Sequence, residues 1–194
     1  IKRKNLFLNY HTKLKYETLN KRYFPTKGLK TNISYTIHTD LHTNTAYSSL
    51  ATQITKIFPM ALNTFIIPTI YGRFIFNDGI PFMYSNVIGG EGYNPHYEQQ
   101  IPFSGLPHTE STLKLLGNAR IQIRHKFHGK QYLTLSGNYA IHQNQFSNFL
   151  QGKKIYGTSI GYGYDSPLGP IEGFICYSNR TNKLGFYLNI GFGF

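Results

Sequence analysis

From Leu184 to the last residue, the even positions read Leu184, Phe186, Leu188, Ile190, Phe192 and Phe194. The odd positions between them are Gly185, Tyr187, Asn189, Gly191 and Gly193. A period of two describes a β-strand with unlike faces, here one continuously apolar and one small or polar. A soluble sandwich turns its apolar face to a core, whereas a barrel in lipid turns it outward and lines the lumen with the small face. Composition favours lipid. Only 14% of the residues are charged, where a soluble domain carries about a quarter. Tyr (16), Phe (15) and Gly (19) are abundant instead.

The same design recurs along the chain. Leu6, Leu8, Tyr10, Leu14 and Tyr16 oppose Asn9, His11, Lys13 and Lys15. Leu29, Ile33, Tyr35 and Ile37 oppose Lys30, Asn32, Ser34, Thr36 and His38. Ala119, Ile121, Ile123 and Phe127 oppose Arg120, Gln122, Arg124 and Lys126. After a tight turn at His128-Gly129-Lys130, Leu133, Leu135, Tyr139 and Ile141 oppose Thr134, Ser136 and Asn138. Tyr156, Ile160, Tyr162 and Tyr164 oppose Gly157, Ser159, Gly161 and Gly163, and Ile171, Ile175 and Tyr177 oppose Glu172, Phe174 and Cys176. Two middle segments, Ser48 to Phe58 and Thr64 to Asn77, alternate less cleanly. Pro59 and Pro68 also sit awkwardly there for central strands.

The expected fold is therefore all-β, an antiparallel transmembrane barrel occupying residues 1–194 with about nine strands. Single-chain bacterial barrels carry an even number, and hydrocarbon does not tolerate an open sheet edge. Either the count is one short, or the chain is the C-terminal part of a larger barrel of about 16 strands. A start at Ile1 rather than Met favours the second. One connection stands apart. Residues 78–116, rich in Gly, Pro and aromatics, form a loop long enough to be functional, expected to fold into the lumen or over it.

Several chemistries are disfavoured. No run of 18 apolar residues exists, so a transmembrane helix is excluded, though a β-barrel is not. The single Cys176 forms no intrachain disulfide. The net charge of +12 is scattered in ones and twos, without a basic helix or a nucleic-acid-binding signature. No nucleic-acid partner and no cofactor are expected. Gly157-Thr158-Ser159-Ile160-Gly161 fits the G-x-S-x-G nucleophile elbow, but alternation continues past it into a turn instead of a helix. No His follows His142, so Ser159 is expected to lie among glycines rather than beside a His and a carboxylate. His125 and His128 are three apart and do not share a strand face, and His38 and His42 flank a turn near Asp40. No catalytic or metal residue is assigned. Asp78, Glu91, Glu98 and Glu110 lie in or beside the long loop, where they are expected to pair with lumen cations.

A strand of small residues, then Asp165-Ser166-Pro167-Leu168-Gly169-Pro170-Ile171, then a final strand ending in Phe194 resembles the end of BamA/TamA-like outer-membrane barrels. Tyr23-Phe24-Pro25-Thr26-Lys27-Gly28 resembles the start of a strand in the same superfamily, which is also called the bacterial surface antigen type. Insertases and two-partner secretion pores of that superfamily carry V-R-G-[FY] at the tip of a lumen loop. Here the loop reads Val87-Ile88-Gly89-Gly90-Glu91-Gly92-Tyr93, with Ile88 in place of the Arg. Ile101-Pro102-Phe103-Ser104-Gly105 looks instead like the barrel behind Bacteroidetes patatin-like phospholipase domains.

The resemblance implies a Gram-negative outer-membrane protein, itself no enzyme, that anchors, displays or translocates an upstream patatin-like domain. Implied site residues are a basic lumen face (Lys13, Lys15, Lys30, Arg120, Arg124, Lys126) and a loop tip (Gly89, Gly90, Glu91, Gly92). A C-terminal insertion signal is implied at Phe186, Leu188, Ile190, Phe192 and Phe194. Implied partners are membrane lipid, the barrel assembly machinery during insertion and the upstream domain, with room for a homodimer. Two rivals stand beside this reading. One is an insertase or translocase of the same superfamily, using a weak seam between first and last strands. The other is a soluble all-β binding module with a basic concave face.

Overall fold

The computed structural model describes residues 7–41, 45–77, 84–91, 100–107 and 109–191. Nine antiparallel strands form one meandering sheet. In chain order they are β1 (Phe7–Glu17), β2 (Gly28–Asp40), β3 (Thr45–Ala61), β4 (Thr64–Ile75), then β8 (Leu115–His128), β9 (Gln131–Gln143), β10 (Lys153–Ser166), β11 (Gly169–Ser178) and β12 (Lys183–Ile190). Each pairs with its neighbour in sequence, except that β4 pairs directly with β8. The long connection between those two carries three short strands, β5 (Asn86–Ile88), β6 (Gln100–Ile101) and β7 (Glu110–Thr112), which form a small separate sheet in the order β6-β5-β7.

Register turns the alternating sequence into continuous rows. Phe58, Ile66, Ile123, Leu135, Ile160, Ile175 and Phe186 stand side by side across seven strands. All but Ile66 are strongly exposed, Leu135 at 54%. Gln122, Ser136, Ser159, Cys176 and Gly185 form a row on the other face. There Ser136, Ser159 and Cys176 are buried. The molecule is thus inverted relative to a soluble protein, with bands of Ile, Leu, Phe and Tyr outside and hydroxyls, amides and charges inside. That arrangement is stable where the outer medium is hydrocarbon.

The sheet also curls. β2 and β11 lie six places apart in the strand order, which in a flat sheet is about 29 Å at the usual interstrand spacing. Yet Lys30 of β2 and Glu172 of β11 line one cavity of about 200 Å³. A twisted, coiled sheet brings such distant strands face to face.

The two proline-bearing strands depart from the sequence bounds, β3 running three residues further at each end and β4 stopping two residues short, and each proline leaves a mark. The β3–β4 pairs step from Thr55↔Thr69 to Phe58↔Ile66, passing over the residues next to Pro68, and a register shift follows between Pro59 and Ala61. Pro has no N–H to donate to the ladder, so pairing breaks locally while the strand runs on. On the other side Pro68 still lies opposite Ile121. β8 begins at Leu115, so the last residues assigned to the long loop belong to a strand. A single turn of 3₁₀-helix lies at Phe149–Gln151.

The turn joining β1 to β2 tucks inward. Phe24 is fully buried and stacks on Tyr132 at 4.1 Å between ring centroids, with the Arg124 guanidinium 5.4 Å above its ring. Its φ of 44° is unusual for a bulky residue and persists only where surrounding contacts over-determine it.

Leu135→Arg separates a lipid-facing wall from a soluble surface. In lipid the change is expected to cost about 2–4 kcal/mol, as for charges near the midplane of a barrel wall. On a water-exposed surface it would stay within about 0.5 kcal/mol. Denaturant unfolding of wild type and variant in phospholipid vesicles measures the difference.

Candidate functional site

The polar rows of β8 to β12 are covered by the segment between β4 and β8. Its apolar side chains Ile88, Ile101, Phe103 and Leu106 pack on Leu116, Ala140 and Ile155, which point inward from β8, β9 and β10. The sheet therefore holds a small hydrophobic core on its otherwise polar side.

Two polar clamps hold this segment. The first is at its base. The Arg73 guanidinium of β4 donates to the carbonyls of Tyr84 and Ser85 at 3.2 Å and to Asn86 Oδ1 at 2.8 Å. Asn86 Nδ2 in turn donates to the carbonyls of Leu113 and Lys114, both at 2.8 Å. One buried Arg and one buried Asn thus tie both ends of the excursion to β4.

The second clamp centres on Glu91, whose side chain is fully buried. Its Oε2 accepts from Arg120 Nη2 of β8 at 2.5 Å. Its Oε1 accepts from Ser159 Oγ of β10 at 2.8 Å and also from Ser104 Oγ. Asn138 Nδ2 of β9 donates to Ser104 Oγ at 2.7 Å, and Asn189 Nδ2 of β12 donates to the Glu91 carbonyl at 3.0 Å. The Tyr187 hydroxyl donates to the carbonyl of Leu106. Four strands thereby converge on one carboxylate and its loop. A buried carboxylate is tolerable only when its charge is compensated and its lone pairs are filled; both conditions are met.

This geometry corrects one expectation. Ser159 does stand beside a carboxylate, and the glycines around it have a different role from that of an elbow. A Cβ at Gly157 would overlap the Ser104 carbonyl oxygen, and one at Gly161 would run into the Phe174 ring. The small-x-Ser-x-small pattern is the seat of the loop. Gly105 fits the other side of the contact, with φ +78° and its α-carbon against the Tyr177–Ser178 backbone. Ser159 donates its proton to a carboxylate already neutralised by Arg120, with no His in the network, which is a structural arrangement and not an activated nucleophile.

The other sequence-derived residues divide. Arg120, Arg124 and Lys30 line the cavity with Glu172, and Arg124 and Glu172 are buried. Lys126 is half-buried on the same face of β8. Lys13 and Lys15 have the inward parity of β1 but remain exposed, Lys15 pairing with Glu17 at 2.6 Å. Gly89 and Gly90 are buried beside Glu91. Phe186, Leu188 and Ile190 are exposed along the outer face of β12. Gly92, Phe192, Phe194, Asp78, Glu98 and His42 lie outside the described residues. Glu110 pairs with Arg180 of the β11–β12 turn at 3.1 Å. His38 bonds Asn9 and His125 bonds Thr64, and no cluster of three metal-ligating side chains occurs among the described residues. The alternation puts Asn138 and Asn189 on polar strand faces, but nothing in the sequence ties them, Ser104, Arg73 or Asn86 to the loop contacts they make.

Two substitutions probe the loop's attachment. Glu91→Ala strands a mostly buried Arg120 and is expected to cost about 3–5 kcal/mol. A further Arg120→Ala should then cost far less than it does alone, and a double-mutant cycle of denaturant unfolding in detergent measures this coupling. Gly157→Ala leaves every charge in place but pushes on the loop backbone, at an expected cost of about 1–3 kcal/mol. Raised single-channel conductance and new protease cutting between β4 and β8 are its expected signatures.

The comparisons with known proteins agree with this architecture. No curated protein gives a significant match. A family model described as the OMP85 superfamily matches residues 1–194, the whole chain. Barrel domains of that superfamily are embedded in lipid and are not enzymes, and membership implies a place in the bacterial outer membrane. With the inverted faces, the antiparallel meander and the full-length match together, the chain belongs to the OMP85 superfamily.

Proposed function

We propose that this chain is the membrane-embedded wall of a protein that anchors, displays or translocates a patatin-like passenger domain. The observation that carries this reading is the clamped loop. Glu91 is bound by Arg120, Ser104 and Ser159, so the polar side of the sheet is filled by the chain's own segment. A filled and pinned interior suits an anchor better than an open conduit. The stretch Ile101–Gly105, which resembles patatin-associated barrels, supplies Ser104 to this clamp, and fully buried Ile88 occupies the place of the insertase Arg. In this reading the outer row of β12, through Phe186, Leu188 and Ile190, is what the barrel assembly machinery reads. The passenger is the upstream domain of the same polypeptide, and the apolar outer bands leave room for a homodimer.

A second reading, an insertase, draws on β12. Gly185 stands opposite Cys176 and gives that strand little to pack with; glycine weakens a strand interior. Depletion in the source bacterium separates the two. The anchor reading expects other outer-membrane barrels at unchanged abundance, with a surface-exposed lipolytic activity lost. A general fall in other barrels, measured by quantitative proteomics of the membrane fraction, would replace it with the insertase.

A further inference from the structure

The cavity of about 200 Å³ on the inner face is lined by Arg22, Lys30, Arg120 and Arg124, with Glu172 the one carboxylate of its walls among the described residues. Arg120 is already matched by Glu91, and among the described walls Lys30 and Arg124 share the single carboxylate Glu172. Arg124 is the telling residue. It is 5% exposed, and its Nε and Nη1 have no hydrogen-bond partner among the described residues. The Nε of Arg120 is also unpartnered, although its Nη2 holds Glu91. Phe24 covers the Arg124 guanidinium, its ring centroid 5.4 Å from the central carbon. Buried guanidinium donors are rarely left without an acceptor, because desolvating them uncompensated is expensive.

We propose that this cavity binds a phosphate-type oxyanion. A guanidinium presents paired N–H groups that match phosphate oxygens, and several such groups around one small space give both charge and geometry. The volume suits a phosphate with its immediate substituent. The cavity lies toward the end of the sheet where β1–β2 turns and where β11 begins, since Leu19, Pro25 and Glu172 line it. Two-residue turns join β3 to β4, β8 to β9 and β10 to β11 at that end, as short turns do on the periplasmic side of outer-membrane barrels. Glu172 opposes the anion and limits its affinity. This inference rests on the cavity alone and stands whichever passenger the barrel carries.

The test is isothermal titration of the intact protein in zwitterionic detergent with inorganic phosphate, and separately with short-chain phosphatidic acid. Saturable binding of either supports the site. If free phosphate competes, the source is a soluble anion; if only the lipid binds, it is a headgroup. Arg124→Gln is expected to weaken binding by about tenfold or more, the usual worth of a charge-assisted hydrogen bond. Glu172→Gln, which removes the opposing charge, is expected to tighten it. Lys30→Gln, at a half-buried position, serves as a second weakening variant should Arg124→Gln fail to fold by heat-modifiable gel mobility. No saturable signal from either probe, or affinity moved by none of the three changes, would overturn the proposal.

Discussion

Hydrocarbon offers no hydrogen bonds, and a sheet that turns its apolar face to it must satisfy every polar group on its other face from within. In this chain that need meets at Glu91. Its carboxylate takes donors from Arg120 and Ser159 on the sheet and from Ser104 on the loop, while Asn189 holds its carbonyl. Without the loop, the inner rows of β8 to β12 would present Arg120, Asn138 and Ser159 to one another with too few acceptors. Without those rows, the loop's acid would be a bare buried charge. Each half makes the other tolerable.

The small residues follow from this. A strand that only faced lipid on one side and water on the other would have no need for glycine at Gly157 or Gly161. At Gly157 the loop backbone comes so close that a Cβ would collide, and at Gly161 the Phe174 ring of β11 takes the space. Glycine weakens a strand by itself, so close packing against the loop compensates for the weakness that it causes. The apolar outer row, with Ile160 between Leu135 and Ile175, supplies the rest of the cohesion of β10. Inside and outside of one strand are thus specified by different partners, the loop and the lipid.

Much of this was legible before any coordinates. A period of two needs only local sequence, so the nine strands, their faces and the placement of Glu91 on a loop beside basic strands were all within reach. What stayed hidden has a common physical cause. Ser104 meets Ser159, 55 residues away, and Asn189 meets Glu91 across 98. No local pattern encodes such a partner. The strands β5, β6 and β7 are two or three residues long, too short to show a period. Pro68 looks awkward in a central strand because it cannot donate to the ladder, yet the segment still reads as a strand, and the pairing with β8 runs unbroken past it. Gly-x-Ser-x-Gly was correctly read as strand, but the reason for its small residues required the loop to be in place.

Arg120 is where the clamp and the cavity meet. A guanidinium has five N–H donors in a rigid plane, and one carboxylate cannot use them all. Its Nη2 is committed to Glu91, while its Nε has no hydrogen-bond partner among the described residues. A lysine at this position would give a single mobile charge that must choose between the two directions, whereas arginine can serve both at once. The same logic accounts for Arg73, whose planar fork reaches the carbonyls of Tyr84 and Ser85 and the Asn86 amide together. Arginine rather than lysine at the inner-face clamps is therefore a geometric requirement. Arg73 reaches three loop acceptors and Ser49 of β3 at once, a reach that a flat, multiply donating cation provides and a single ammonium does not match.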